Sequence, residues 1–338
     1  SGKFGGALLN HTSNLTLSNA TFTDNTAGER GGGLYNYGST ATLTNVSFSG
    51  NNAALLGGGM NNSSSNVQLT GGAFTNNAAG TSGGGIYFAA GNLTLANVTF
   101  TGNSAKGGGG LLSSSNSVTS ITNTLSEDNY AQERGGGVYF YDSAGTITNV
   151  TFKNNVAEQH GGAMFNSASD PVVSDSTFTG NSSQLYGGAI DNNTSSPTLT
   201  NVQITGNSAI RGGGIYNWEY SSGTLTNVTI NENSATHRGG GMYVVDYCDL
   251  TFTDVVFERN TSVGEGGGIF VSNSHPVLTH VRFTGNSSAN FGGGMYNSYT
   301  RATLNDVIFD GNSAISGGGL NNNNSDPALT NITFTDNS

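Results

Sequence analysis

The chain has 338 residues, of which 53 are Gly, four are Pro and only 9% are charged. This composition excludes a helical bundle, because Gly, Asn, Ser and Thr disfavour helix interiors, and it excludes collagen, which needs Gly at every third position with much Pro. The formal net charge of −11 has the wrong sign for binding nucleic-acid phosphates, and no apolar stretch is long enough to span a bilayer, so we expect no nucleic-acid partner and no membrane insertion.

A short motif recurs thirteen times along the chain: two glycines, a Gly or Ala, and an apolar residue. The motif begins at Gly5, Gly31, Gly57, Gly83, Gly108, Gly135, Gly161, Gly187, Gly212, Gly239, Gly266, Gly292 and Gly317. The twelve intervals cover 317 − 5 = 312 residues, a mean of 26. A fixed period of this size is typical of solenoids.

The second half of each repeat is as regular as the first. The segments LTNVSFSGN (43–51), LTNVQITGN (199–207) and LTNITFTDN (329–337) alternate apolar and polar residues with a period of two, which predicts a strand. With Gly-rich turns and room for about three short strands per repeat, the sequence predicts an all-β, single-stranded parallel β-helix (β-solenoid). It would have thirteen coils of about 26 residues in a single domain over residues 1–338, without evident caps.

Two positions in each coil are predicted to form ladders inside the helix or at its corner. The first is an inward apolar stack of Phe22, Phe48, Phe74, Phe100, Leu125, Phe152, Phe178, Ile204, Ile230, Phe257, Phe283, Phe309 and Phe334. Three residues later comes an Asx ladder of Asn25, Asn51, Asn77, Asn103, Asp128, Asn155, Asn181, Asn207, Asn233, Asn260, Asn286, Asn312 and Asn337. Because Asn tolerates turn conformations and its amide can bond to the same group one coil away, we expect this ladder to be structural.

The repeat signatures also resemble a known family. GGAM (161–164), GGAI (187–190), FTGN (100–103, 178–181 and 283–286) and FTDN (22–25) look like the passenger repeats of chlamydial polymorphic outer-membrane proteins, and of other bacterial right-handed parallel β-helix surface proteins. The resemblance covers the whole chain. It implies a right-handed helix and an extracellular or cell-surface location, often with an adhesive role.

An aromatic ladder follows the inward apolar residue, and strand alternation places it on the outer face. Its members are Tyr35, Tyr87, Tyr139, Phe165, Tyr216, Tyr243, Phe270 and Tyr296, with Trp218 close by. An exposed ladder could stack on the sugar rings of cell-surface glycans or contact another rod. The alternative is that aromatic residues favour strands and pack on their neighbours along the ladder.

Coils nine and ten hold the densest set of reactive groups. Glu219 and Asp246 each lie seven residues after the first glycine of their coil, so they should stack about one strand spacing apart. Paired carboxylates beside aromatic rings could serve glycoside chemistry or bind Ca²⁺, whereas the alternative is an ordinary polar surface. Cys248 is the only cysteine and the histidines occupy scattered positions, so we predict no metal and no cofactor. Because no other coil supplies converging acids, we also predict no enzymatic activity.

The ends of the chain are in phase with each other. Reading Asn337 and Ser338 into Ser1, Gly2, Lys3 and Phe4 of a second copy gives NSSGKFGG, which matches NSSANFGG at 286–293. We therefore expect copies to stack head to tail into filaments or a surface layer. The alternative is that the chain is an excerpt of a longer repeat array. A structural protein is the leading hypothesis, followed by an adhesin or glycan-binding passenger and then by a polysaccharide lyase or hydrolase.

Overall fold

The computed structural model describes residues 2–338, which form two compact units, the first extending to Pro171 and the second starting at Val172. The two units are built in the same way, from short β-strands that pair in parallel with the equivalent strands one coil away. The described residues contain no helix. The all-β solenoid fold is confirmed, whereas the single domain over residues 1–338 stays a prediction.

Each coil of the first unit contributes strands of four families, which we number in the order of the chain. The first strands are Leu8–His11, Leu34–Tyr37, Met60–Ser63, Ile86–Ala89, Leu111–Ser114, Val138–Tyr141 and Met164–Ser167. The second strands are Asn14–Ser18, Thr40–Thr44, Asn66–Thr70, Asn92–Ala96, Val118–Thr122 and Ala144–Thr148. The third strands are Thr21–Thr23, Ser47–Ser49, Ala73–Thr75, Thr99–Thr101, Leu125–Glu127 and Thr151–Lys153. The fourth strands are Thr26–Ala27, Asn52–Ala53, Ala78–Ala79, Ser104–Gly107, Tyr130–Arg134 and Val156–Ala157.

The second unit has the same four families. Its first strands are Ile190–Asn193, Ile215–Trp218, Met242–Val245, Ile269–Ser272, Met295–Ser298 and Leu320–Asn323. Its second strands are Val172–Ser174, Thr198–Thr200, Thr224–Thr226, Thr251–Thr253, Val277–Thr279, Thr303–Asn305 and Ala328–Thr330. Its third strands are Thr177–Thr179, Gln203–Thr205, Thr229–Asn231, Val256–Glu258, Arg282–Thr284, Ile308–Asp310 and Thr333–Thr335. Its fourth strands are Ser182–Ser183, Ser208–Arg211, Ser234–Arg238, Thr261–Ser262 and Ser287–Ser288.

The fourth strand corrects the expectation of about three strands per coil. It follows the Asx residue and is two residues long in most coils, for example Thr26–Ala27. Two residues are too few to produce a recognisable period-two pattern in the sequence. The fourth strand ends shortly before the glycine motif of the next coil, so it determines where the chain enters the following corner.

The predicted inward stack forms the core of both units. Phe48 is fully buried, and its ring lies 4.7 Å from the rings of both Phe22 and Phe74, nearly parallel to each. In the second unit Phe283 and Phe309 stack at 4.9 Å. Because the strands pair in register, most coils place a Phe or Ile over the same position of the neighbouring coil, and the stack continues along each unit.

Coil five departs from the predicted phase by one residue. Ser126, not Leu125, lies opposite Phe100 and Phe152 and is buried, so Leu125 points to the other face. The Asx position shifts in the same way, and Asn129 replaces Asp128 in the ladder. Coil five has apolar Leu125 next to small, polar Ser126. Because Asn129 occupies the ladder position and bonds to both neighbouring coils, Ser126, three residues before it, is the residue that faces inward.

The Asx ladder is confirmed as a structural feature in each unit. In the first unit the side-chain amides of Asn25, Asn51, Asn77, Asn103 and Asn129 each donate to the Oδ1 atom of the next ladder member at 2.8–2.9 Å. The second unit repeats the bond from Asn181 through Asn207, Asn233, Asn260, Asn286 and Asn312 to Asn337. The ladder therefore satisfies buried amides that would otherwise be costly.

The glycine motif lets neighbouring coils approach closely. A Cβ added to Gly58 would lie 2.4 Å from the carbonyl oxygens of both Ala78 and Gly84, a distance at which atoms overlap. Gly57, the first glycine of the same coil, has a φ of +65°, which disfavours side chains. The motif is thus a packing requirement of the solenoid.

A serine ladder that the sequence analysis missed lies at the corner between the first and second strands. The backbone N–H of Ser195 donates to Ser221 Oγ, that of Ser221 to Cys248 Sγ, and that of Cys248 to Ser274 Oγ, all within 3.2 Å. Cys248 therefore occupies a serine position. The signal was present in the sequence, because Ser recurs eight residues after the first glycine of most coils.

Candidate functional site

The aromatic ladder forms a second apolar cluster on the face of the first strands opposite the core. In the second unit Tyr216, Tyr243, Phe270 and Tyr296 stack in sequence with ring centroids 4.7–5.3 Å apart. In the first unit Tyr139 and Phe165 pack with Leu112. The prediction of a ladder is confirmed.

Of the two alternatives for this ladder, the structure favours packing along the ladder over an exposed surface. Seven of its members are only 2–9% exposed, namely Tyr35, Tyr139, Phe165, Tyr216, Tyr243, Phe270 and Tyr296. Tyr87 and Trp218 are half-buried and pack against the same clusters. Any role of these residues in binding stays a prediction, but the open surface on which it depended is not present.

In several coils the ladder is covered by the residue that immediately precedes a glycine motif. Phe4 stacks on Tyr35 at 5.2 Å, and Arg134 lies over the ring of Phe165 at 5.4 Å. In the second unit Arg238 lies over Phe270 at 5.2 Å. The arginine side chains lay their apolar stems and planar guanidinium groups along the rings, which is a common way to shield aromatic surface.

Burial changes the acidity of the tyrosines in this cluster. Desolvation raises the pKa of Tyr216 well above its usual value of 10, and the nearby carboxylate of Asp191 acts in the same direction. Burial likewise raises the pKa of Tyr243 and of Tyr139. Asp191 is fully buried and accepts a hydrogen bond from Trp218 Nε1 at 3.0 Å. These phenols therefore keep their protons to a higher pH than an exposed tyrosine does, as expected for buried packing groups.

The corner of coils nine and ten carries the carboxylates singled out in the sequence. Glu219 and Asp246 are both exposed, and the backbone N–H of Tyr220 donates to the carbonyl of Asp246, so the two acids lie on adjacent coils as predicted. The Glu219 carboxylate accepts a hydrogen bond from the Asn193 amide at 2.8 Å. The two acids stand on an open corner.

Two shallow grooves of about 320 and 370 Å³ lie in the first unit, around Asp142 and around Gln68.

The sequence analysis did not identify the two tyrosines that follow these acids as a pair. Tyr220 and Tyr247 are 67% and 60% exposed, and their rings stack with centroids 5.6 Å apart. The signal was a one-residue increase in length: the intervals from Gly212 to Gly239 and from Gly239 to Gly266 are both 27 residues.

Residues 2–338 contain neither a cluster of metal-ligating side chains nor a helix that could span a membrane. No three His, Cys, Asp or Glu side chains lie close enough together to hold a metal ion. None of the described segments is a long apolar helix of the kind that could cross a membrane.

The residues predicted to form assembly ends continue the ladders of their own units. The Gly2 carbonyl accepts from the N–H of Gly28 at 2.8 Å, and Lys3 forms an ion pair with Glu29 at 3.1 Å. Asn337 accepts from the Asn312 amide at 2.9 Å, and the backbone N–H of Ser338 donates to the Asn312 carbonyl. Ser1 lies outside the described residues.

Comparison with known families agrees with this architecture. A family model described as a right handed beta helix region matches residues 5–182 and, in a second overlapping match, residues 136–314. The chain belongs to the right-handed β-helix family. The predicted right-handedness of this β-helix protein is thereby confirmed. Searches of curated proteins and of solved structures each returned no match. Because one fold supports many functions, family membership fixes the architecture of this β-helix protein and leaves its activity to be argued from the surface.

Proposed function

We propose that this chain is a non-catalytic structural protein of the extracellular space or cell surface, whose copies stack head to tail into filaments or a layer. The observation that carries the proposal is the equivalence of the coil interfaces. Asn51 bonds to Asn77 in the first unit with the same atoms and nearly the same distance as Asn260 bonds to Asn286 in the second.

Because the coil interfaces are equivalent, a coil of one copy could stack on a coil of another copy through the contacts that join neighbouring coils within the chain. Each coil offers its neighbour an Asn amide and the backbone groups of a glycine motif, and most coils add a Phe or Ile side chain. Phe257 and Phe283, for example, stack at 4.9 Å. The face of one coil therefore resembles the corresponding face of most other coils. A contact repeated by translation cannot close on itself, and it propagates as a fibre.

The non-catalytic part is supported by the arrangement of acidic groups. Glu219 and Asp246 stand on an exposed corner, and the Glu219 carboxylate is engaged by Asn193. A glycosidase or lyase usually holds its acids in a cleft that surrounds the sugar and excludes water. The extracellular location and the relation to chlamydial passenger repeats remain part of the proposal. They rest on the resemblance of the GGA-apolar and FxxN motifs.

Electron microscopy of the purified chain tests the assembly. Wild-type protein should form filaments one coil wide, and Leu329→Asp with Phe334→Lys should reduce them to short rods. These side chains are 44% and 52% exposed on the coil that begins at Gly317, and a stacked copy would have to bury the new charges. The matched control is Thr333→Lys with Thr335→Lys, which adds charge to exposed outward positions of the same coil and should leave filaments intact.

Two results would contradict the proposal. Wild-type protein that stays monomeric by light scattering at millimolar concentration would remove head-to-tail stacking. Cleavage of any polysaccharide in a broad panel, abolished by Glu219→Gln with Asp246→Asn, would remove the non-catalytic assignment and restore the lyase or hydrolase hypothesis.

A further inference from the structure

The stacked pair of Tyr220 and Tyr247 is the most exposed aromatic surface that the two units offer outside the covered ladder. The rings are nearly parallel, with an interplanar angle of 12°. Each tyrosine directly follows an acid, Glu219 or Asp246, so an acid–tyrosine dipeptide is repeated on adjacent coils. Exposed stacked rings of this kind are unusual, because stacked aromatic residues are normally part of a core or an interface.

An insertion in two neighbouring coils, each with a tyrosine at the inserted corner, creates the pair; coil five has the same insertion, but Ser115 and Asn116 occupy its corner. One residue, Thr194, separates the first strand from the serine ladder in coil eight, whereas two residues do so in coils nine and ten. The four residues at these two corners, Glu219, Tyr220, Asp246 and Tyr247, have φ between +52° and +65°. A left-handed conformation costs a non-glycine residue about 1 kcal/mol or more. The backbone that carries the two tyrosines is therefore strained.

The surroundings of the rings are acidic. Glu219, Asp246 and Asp249 are exposed at this corner. Two of these carboxylates accept hydrogen bonds from uncharged donors. Glu219 accepts one from the Asn193 amide, and Asp249 accepts one from the backbone N–H of His275 at 2.6 Å. Among the ion pairs of residues 2–338, none joins a Lys or Arg to these three carboxylates. The corner thus combines open aromatic faces with negative charge that has no cation beside it.

The same molecule shows what such a combination binds. The Arg238 guanidinium lies over the Phe270 ring at 5.2 Å and forms an ion pair with Glu265 at 2.5 Å. Arg211 similarly lies over Tyr243 at 5.9 Å. In the covered ladder, a stacked ring and a carboxylate together hold Arg238, whereas Arg211 has ring contacts and a hydrogen bond to His237. The exposed corner has the ring and the carboxylate, and the described part of the chain supplies no arginine to it.

We propose that the corner formed by Glu219, Tyr220, Asp246 and Tyr247 docks an arginine side chain of a partner protein. The guanidinium would lie on the open face of one ring and bond to the carboxylate that precedes it. Arginine suits this arrangement better than lysine, because its planar group stacks on aromatic faces and bonds to carboxylates through two N–H groups. The inference stands apart from head-to-tail stacking, which uses other surfaces.

Calorimetric titration with two peptides of equal charge tests the docking. The probes are acetylated, amidated tetra-arginine and tetra-lysine, used at about 150 mM salt, where the screening length is about 8 Å and diffuse attraction to the acidic surface is reduced. Tetra-arginine should bind about three- to tenfold more tightly than tetra-lysine, which is the size of an exposed cation–π contact with an added hydrogen bond.

Variants separate the rings from the charges. Tyr220→Ser with Tyr247→Ser keeps both acids and should abolish the preference for arginine, and Tyr220→Leu with Tyr247→Leu should do the same while retaining apolar bulk. Glu219→Gln with Asp246→Asn should weaken both peptides. The matched control is Tyr141→Ser with Asp142→Asn in the first unit, because Tyr141 is 51% exposed and followed by an acid but has no stacked exposed partner. It should change neither affinity.

The proposal fails if tetra-arginine and tetra-lysine bind equally to the wild type, or if either tyrosine variant retains the preference while its unfolding midpoint is unchanged. It also fails if neither peptide binds while a neutral oligosaccharide such as chitohexaose binds and is released by the tyrosine substitutions. That result would assign the corner to a sugar.

Discussion

The Oδ1 atom of Asn77 accepts two hydrogen bonds from Asn51, one from its backbone N–H at 3.0 Å and one from its side-chain amide at 2.9 Å. A single side-chain oxygen thus satisfies two donors of the preceding coil, and both residues are fully buried. The stability of each coil therefore depends on a residue in the next one.

We predict that Asn77→Ala lowers the free energy of unfolding by about 2–4 kcal/mol, because it leaves two buried donors of Asn51 without an acceptor. The control is Asn66→Ala. Asn66 Oδ1 also accepts from the N–H and the amide of one residue, Asn92, but it is exposed, and water can replace it. We expect a change of about 1 kcal/mol or less there. Urea unfolding followed by circular dichroism measures both, and equal losses would contradict a special role for the buried ladder.

A second prediction concerns the middle glycine of the motif. Gly213→Ala should prevent folding or lower stability by several kcal/mol, because the new Cβ would lie 2.4 Å from the carbonyl oxygens of Gly240 and Ser234, both of which are backbone atoms. Gly206 has a φ of +66° and no atom within 4 Å of an added Cβ. Gly206→Ala should therefore cost only about 1 kcal/mol of conformational strain.

Soluble yield and thermal melting of the two glycine variants give the comparison. A well-folded Gly213→Ala protein with a near wild-type melting temperature would show that the coils can move apart, and would refute the packing explanation.

Much of the fold could be predicted because the period of 26 residues carries the register with it. Once Phe48 and Phe74 are known to repeat in phase, parallel stacking places one over the other. The predicted phase is wrong where two neighbouring residues of the repeat are both candidates for the inward position. Leu125 is apolar and Ser126 is not, so hydrophobicity selects the wrong residue, and only the position of Asn129 reveals the phase.

The surface was less predictable than the core. Strand alternation correctly places Tyr243 on the outer face, but exposure depends on the path of the corner that precedes the glycine motif. That path brings Arg211 and Arg238 over the ladder. Both recur directly before a glycine motif, but the repeat period does not show that their side chains turn toward the rings. The exposed pair of Tyr220 and Tyr247 depends similarly on a one-residue insertion whose position within the coil the spacing alone does not give.

The third prediction follows from the burial of the aromatic ladder that contains Tyr216, Tyr243 and Phe270. Tyr243→Ser should lower stability by about 3 kcal/mol, because the ring is 7% exposed and lies between Tyr216 and Phe270. The control is Tyr299→Ser, since Tyr299 is 60% exposed and should contribute less than about 1 kcal/mol. Chemical unfolding of both variants decides the matter, and an unaffected Tyr243→Ser protein would restore the view of this ladder as a free surface.

The last prediction is an alkaline loss of stability through Cys248. Burial raises the pKa of this thiol from its ordinary value of 9.0 to about 12. Between these values the folded chain keeps the proton that the unfolded chain releases, so stability is fully present below about pH 9 and falls as the pH rises toward 12. Burial of Tyr216 and Tyr243 acts in the same direction at higher pH.

Cys248→Ser should remove the thiol's share of this dependence without disturbing the fold. Its neighbours along the ladder, Ser221 and Ser274, are already serines, and a hydroxyl can accept the Ser221 N–H in place of the sulfur. We expect the free energy of unfolding to stay within about 1 kcal/mol of the wild type at pH 7, and to decline less steeply for the variant between pH 9 and 11. Urea titrations at pH 7, 9 and 10.5 test this. Parallel declines in the two proteins would show that the buried tyrosines, and not the thiol, govern alkaline unfolding.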